Sequence, residues 1–262
     1  MMNATLRYLP DRTLKPRKAG ITMIMDKGLS VRQAEDLVAT ASDYVDFVKL
    51  GFGTGLITQG VTEKIKVFRK AGIRVFLGGT LFEAFVLRGQ FAEFCALLKK
   101  LKLDTVEVSD GSMLMDHKEK CKYIRELSKD YMVLSEVGSK ESRLNIPPDR
   151  WTDMMQKELK SGAFKVIGEA RESGSVGIYS PSGKAHSGLI REILTHIDMD
   201  RVIWEAPLKS QQAWFIRELG PNVNLGNIPP SEALPLETLR LGLRVDTFFS
   251  FVPEKFRKFQ PR

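Results

Sequence analysis

The 262-residue chain lacks the features that mark several large protein classes. No apolar run approaches the roughly eighteen residues that a membrane-spanning helix needs, so an integral membrane protein is not expected. The N-terminal stretch MMNATLRYLPDRTLKPRKAG has no apolar core of the kind a secretory signal carries, and a cytoplasmic location is the expectation. Two cysteines, Cys95 and Cys121, stand far apart in helix-like stretches; they make neither a zinc site nor a disulfide framework, and buried or partly buried free thiols are expected. The three histidines, His117, His186 and His196, fall in loops or helical stretches and are not favoured as catalytic groups. No phosphate loop of GxGxxG spacing follows an early strand. The nearest candidate, Gly51-Phe52-Gly53-Thr54-Gly55, lacks the spacing, which counts against an open doubly wound sheet.

What is present is the balance of a globular chain, with 43% apolar and 27% charged residues, enough to bury a sizeable core. The formal charge of +8 invites a nucleic-acid reading, so its placement decides. A basic N-terminal extension, residues 1–18, carries a net +4, and a basic C-terminal tail, residues 251–262, carries a net +3, leaving the body near neutral. Solvated termini are expected, and no nucleic-acid partner. The tails could also dock a second copy in a homo-oligomer.

Between the tails, short apolar runs alternate with longer amphipathic ones. Strands are expected over residues 20–25, 44–50, 73–78, 104–109, 131–137, 164–169, 201–206 and 222–226, each followed by a run with apolar spacing of three and four. Eight strand–helix units without a composition break predict a single α/β domain, a (β/α)8 TIM barrel over residues 19–250. Trp151, Trp204 and Trp214 read as core or helix-to-barrel packing.

The stretch KVIGEARESG, residues 165–174, begins as a buried strand and ends in charge. In a barrel both faces of a strand are covered, so charge is costly in mid-strand but opens into the catalytic mouth at the C-terminal end. The other strands repeat the pattern. Asp26, Lys49, Glu107, Glu136, Glu169 with Arg171, and Glu205 stand at or near strand ends; Glu83, Asp110 and Lys140 follow just beyond, and Asn224 and Asn227 close the eighth strand. Converging carboxylates would repel one another and take up protons, so a hard divalent cation is the economical neutraliser. Lys49, Lys140 and Arg171 would then face phosphate or carboxylate groups of an anionic substrate.

The segments ITMIMDKGL (21–29), DFVKLGFGTG (46–55), LGGTLFE (77–83), VEVSDGS (106–112), SEVGSK (135–140), EARESG (169–174), WEAPLKSQQ (204–212), VNLGNI (223–228) and LETLRLGLRVDTF (236–248) resemble the phosphosulfolactate synthase family, in order and spacing. The resemblance implies a carbon–sulfur lyase that requires Mg2+ and adds sulfite to phosphoenolpyruvate, giving (2R)-3-phosphosulfolactate; in archaea this step opens the route to coenzyme M, and bacterial relatives are linked to sulfolactate. It also implies that Lys140, at the position of the family's suggested proton donor, protonates C2. Glu136, Glu169 and Glu205 are the leading metal-region carboxylates, with Asp26 and Glu107 behind them. Glu169 and Arg171 join Lys140 as catalytic candidates. Lys49 and Arg171 are the expected anion binders, and Gly226, Asn227 and Arg244 lie in the last loops, where barrels often hold phosphate. Two readings compete: a non-catalytic, stress-related relative, which predicts erosion of this set, and a barrel lyase using another nucleophile or phosphorylated acid.

Overall fold

A computed structural model describes residues 4–138, 146–171 and 173–260. Eight strands form one parallel sheet: β1 (Thr22–Asp26), β2 (Phe47–Leu50), β3 (Arg74–Leu77), β4 (Thr105–Val108), β5 (Met132–Val137), β6 (Lys165–Gly168), β7 (Val202–Glu205) and β8 (Leu225–Ile228). Their spatial order, β3-β2-β1-β8-β7-β6-β5-β4, curls the sheet into a nearly closed (β/α)8 barrel. The seam lies between β3 and β4. Side chains fasten it: Arg74 pairs with Asp104 at 2.6 Å near the strand starts, and the Gly79 amide donates to Glu107 Oε1 at 2.5 Å near the ends.

Ten α-helices are found among the described residues: α1 (Val31–Ala41), α2 (Thr54–Ile57), α3 (Val61–Lys70), α4 (Gly79–Leu87), α5 (Phe91–Lys100), α6 (His117–Leu127), α7 (Pro148–Lys160), α8 (Ser187–His196), α9 (Lys209–Leu219) and α10 (Ala233–Arg240). Two of these, α2 and α4, exceed the eight expected. The α4 sequence GTLFEAFVL is apolar nearly all round and so lacks the periodic stripe that marks a surface helix; it packs inside the helical layer, with Leu81 and Phe82 buried. The eighth strand begins three residues later than expected. Asn224 is drawn beneath the barrel, accepting from the Ile21 amide at 3.0 Å and donating to Val202 O at 3.0 Å.

Two apolar layers follow from the two-residue period of the strands. Outward residues such as Val48, Val75, Val106, Val166 and Trp204 pack under helices. Inward residues Met23, Phe47, Phe76, Leu134, Ile167 and Ile203 fill the barrel axis. Trp151 and Trp204 are buried, Trp214 packs at the core edge, Cys121 is buried and Cys95 half-buried, all as expected.

The N-terminal extension is not a solvated tail. Arg12 pairs with Glu237 at 2.8 Å and donates to Pro221 O at 2.9 Å; Arg17 pairs with Asp46 at 2.8 Å; Lys15 donates to Val45 O at 2.7 Å. These partners lie at the N-terminal end of the barrel, where the fully buried Arg240 also bonds Val223 O at 2.7 Å and Ile21 O at 3.1 Å. Cations thus supply side-chain donors to main-chain carbonyls at the strand starts. The C-terminal segment folds beside it, with Phe256 5.4 Å from the Tyr8 ring. Among the described residues no helix is long and apolar enough to cross a membrane.

Candidate active site

The inward alternation that places Met23 and Phe47 in the barrel axis places Met25, Lys49, Glu107, Glu136, Glu169 and Glu205 one layer higher, at the C-terminal mouth. A cavity of about 410 Å³ opens there, lined by Met25, Lys49, Gly51, Phe52, Gly78, Gly79, Thr80, Glu136, Glu169, Arg171, Ser173, Glu205 and Asn227. Its floor is charged. Lys49 Nζ lies 2.9 Å from Glu107 Oε2, 3.0 Å from Glu136 Oε2 and 3.3 Å from Glu205 Oε1, with all four residues buried.

Burial alone would depress the Lys49 ammonium, but Glu107, Glu136 and Glu205 outweigh it and hold it well above the ordinary lysine range. The carboxylates respond in the opposite sense. Burial pushes Glu205 up to about 7, with Glu136 and Glu107 adding to the rise against the pull of Lys49. Glu107 is raised as well, by burial first and then by Glu136. Among the described residues, Lys49 therefore does not offset the burial of Glu205 and Glu107.

The β6–α8 loop braces this floor through its backbone. Ala170 N donates to Glu205 Oε2 at 2.9 Å, and Arg171 N donates to Glu169 Oε1 at 2.5 Å. Arg171 adopts φ 52°, Asn227 φ 54° and Phe52 φ 53°, so three of the five non-glycine residues with left-handed backbone among the described residues line this one cavity. Such conformations cost about 1–3 kcal/mol each and persist where the surroundings over-determine them. Gly138 makes space at the end of β5: a Cβ there would lie 2.6 Å from the Trp151 ring and 2.7 Å from Glu169 Cβ.

Glu136, Glu169 and Glu205 each offer a carboxylate oxygen, and the three oxygens lie within 4.8 Å of one another. An all-oxygen donor set of three buried carboxylates suits a small hard cation, and Mg2+ fits these residues. The other two metal candidates are not part of this cluster of three. Asp26 pairs with Lys64 at 2.7 Å, and its Oδ1 accepts from the amides of Gly28 and Leu29, both at 2.7 Å, which ties down the loop after β1. Glu107 spans the β3–β4 seam and Lys49.

Among the expected anion binders, Arg171 and Asn227 line the cavity. The Asn227 side chain is 5% exposed, and its Oδ1 has no hydrogen-bond partner among the described residues. Lys49 instead meets three carboxylates, one for each ammonium proton. Gly226 sits within the barrel, where Met23 and Ile203 would block a side chain, and Arg244 lies 3.8 Å from Glu232, away from the cavity lining. Lys140 lies outside the described residues.

Sequence reasoning missed two buried helix lysines. Lys64 bonds Asp26 and Leu29 O, and Lys120 pairs with Asp110 and Glu158. Both sit in amphipathic runs that read as ordinary solvated faces, so no local signal separates them from exposed lysines. For Lys49 a signal exists: two residues after the inward Phe47, it must itself point inward.

The fold and this mouth define a (β/α)8-barrel enzyme with a carboxylate triad where barrel enzymes hold their catalytic groups. A solved 3-hexulose-6-phosphate synthase shares the fold at a TM-score of 0.52 and 16% identity, covering 84% of this chain and 99% of that one. Residues 10–246 match the family described as (2R)-phospho-3-sulfolactate synthase (ComA). The phosphosulfolactate synthase of Bacillus subtilis (strain 168) is 45% identical over 251 residues, 95% of this chain and 100% of that protein. That of Methanothermobacter thermautotrophicus is 44% identical over 253 residues, 94% of this chain and 98% of that protein. The chain belongs to the phosphosulfolactate synthase family, and is an enzyme of carbon–sulfur bond formation, a lyase-type reaction.

Proposed function

We propose that the chain catalyses the Mg2+-dependent addition of sulfite to phosphoenolpyruvate, giving (2R)-phospho-3-sulfolactate, in the cytoplasm. The observation that carries the metal-dependent reading is the convergence of Glu136, Glu169 and Glu205 within 4.8 Å at the mouth of the family's barrel. In this reaction the sulfur lone pair of sulfite forms a bond to C3 of the enol. The C2–C3 π pair moves onto C2 and into the carboxylate, and a proton then closes C2. Mg2+, when bound, supplies positive charge where the substrate carboxylate gains negative charge.

The chain's own residues divide the remaining work. Glu136, Glu169 and Glu205 hold the ion, while Lys49 and the amides of Ala170 and Arg171 fix the directions of these carboxylates. The Arg171 guanidinium and the Asn227 amide, on the cavity wall, meet the anionic oxygens of phosphoenolpyruvate. The mostly buried setting of the floor limits water around the carbanion-like centre. Lys140 gives its Nζ proton to C2, the role implied by the family resemblance. A non-catalytic, stress-related role would leave this set free to erode, yet Lys49 and all its carboxylate partners are in place.

The test is to incubate the protein with phosphoenolpyruvate, sulfite and Mg2+ and follow the enol absorbance. Loss that requires all three components supports the reading, and its absence sinks it. The same assay with other nucleophiles and phosphorylated acids separates a different lyase.

A further inference from the structure

The groups that hold Glu136 in place lie behind it, on the outer face of β5. Lys120 of α6 is fully buried. Its ammonium donates to the Glu136 carbonyl oxygen at 2.6 Å and to Asp110 Oδ1 at 2.9 Å, and pairs with Glu158 Oε1 at 3.0 Å. These three acceptors use all three ammonium protons. Glu158 of α7, also fully buried, accepts from Ser135 Oγ at 2.6 Å through its other oxygen. Ser135 directly precedes Glu136 and points to the opposite face of the strand. One ion network therefore grips the main chain at Glu136 itself and the side chain immediately before it. Asp110, in the loop between β4 and α6, brings the neighbouring strand end into the same network.

Packing alone does not account for a lysine here. A buried ion pair is generally no more stabilising than a well-packed apolar side chain of similar volume. What a lysine adds is direction, because three fixed acceptors allow one placement of the β5 carbonyl. The Lys64 network on the far side of the barrel grips a mouth loop in the same manner but contacts none of Glu136, Glu169 and Glu205.

We propose that Lys120, acting with Glu158 and Ser135, is a positioning residue for the metal-binding carboxylate of Glu136. It sets the angle at which Glu136 meets Glu169 and Glu205. This rests on the assignment of those three carboxylates to Mg2+. Partners that orient metal ligands from behind typically change metal affinity by about 10–100-fold when removed.

The test measures Mg2+ binding by titration calorimetry in the absence of substrates, beside the thermal midpoint and the Mg2+ dependence of turnover. Two variants are compared with the unaltered chain. Lys120→Met/Glu158→Gln removes the fully buried charge pair together and leaves only the part-exposed Asp110 carboxylate of that network without its lysine, and Ser135→Ala removes one bond without disturbing the pair. The expected result is a Mg2+ dissociation constant weakened about 10–100-fold in the double variant and by a smaller factor in Ser135→Ala. If the double variant does not fold, Ser135→Ala decides. A lowered thermal midpoint with Mg2+ affinity within twofold of the unaltered chain overturns the proposal and leaves a purely structural network. Mg2+ binding without sulfite-dependent turnover overturns the reaction but not the positioning role. Failure of the unaltered chain to bind Mg2+ overturns the positioning role.

Discussion

Lys49 Nζ stands 3.0 Å from Glu136 Oε2, and the same ammonium is shared with Glu107 and Glu205, so one buried cation serves several anions. Removing one partner of a buried charge pair typically costs about 3–5 kcal/mol, because the other charge stays behind unpaired. Lys49→Met is expected to lose that amount in metal-free protein and to recover part of it with Mg2+, which takes over the neutralisation. Thermal unfolding with and without Mg2+ measures both. Equal losses in the two conditions would show that lysine and metal do not share one charge balance.

The carboxylate triad predicts a division between residues of similar appearance in the sequence. Glu169→Gln and Glu205→Gln are expected to lower kcat by about 10²–10³, the usual effect of losing one electrostatic stabiliser of the transition state. Mg2+ at 100 times its dissociation constant stabilises a folded protein by about 2.7 kcal/mol, a gain these variants should lose at the same Mg2+ concentration. Asp26→Asn is expected to lower the midpoint, since Lys64 is left buried, while the Mg2+-induced rise persists. A loss of the Mg2+ response in Asp26→Asn would return that residue to the metal site.

The barrel was legible because strands covered on both faces write continuous apolar runs, and because a charge is tolerated there only at the mouth. That rule located Glu136, Glu169 and Glu205 from sequence before any geometry. The sequence reading ranked Asp26 and Glu107 behind them but could not show what holds these two, because their partners, Lys64 and the Gly79 amide, come from helices tens of residues away. The α4 helix escaped notice because its apolar residues are not periodic, and Asn224 obscured the start of β8. The cations of the N-terminal extension read as solvated because nothing local shows that Arg12 meets Glu237 across 225 positions.

Acid stability isolates the network behind β5. Burial on its own would raise the Glu158 carboxyl, but Lys120, with bonds from His117 and Ser135, outweighs it and holds the group below its ordinary value of 4.5. A depressed folded-state pKa means that the unfolded chain binds the proton more readily as pH falls. Stability from Glu158 is therefore fully present above about pH 4.5 and is lost as the pH drops through the folded value. Glu205, raised to about 7, runs the other way: between 4.5 and about 7 the folded state binds more protons, so its contribution falls as pH rises. Subtracting the unfolding free energy of Glu158→Gln from that of the unaltered chain across pH 3–6 should give a difference that shrinks toward the acid end. A flat difference would mean that Lys120 does not hold Glu158 ionised.

The closed end of the barrel predicts the reverse pattern from the mouth. Arg12 makes a two-pronged pair with Glu237, at 2.8 and 3.0 Å, and binds Pro221 O at 2.9 Å, with both charged side chains less than a tenth exposed. Arg12→Ala leaves Glu237 buried without its cation, and a loss of about 3–5 kcal/mol is expected. In (β/α)8 barrels the N-terminal face serves stability and the C-terminal face catalysis. Turnover measured well below the unfolding transition should therefore be unchanged, whereas urea unfolding should shift its midpoint without a change in slope. A fall in kcat at full occupancy of the folded state would mean that the extension reaches beyond the closed end and couples to the carboxylates of the mouth.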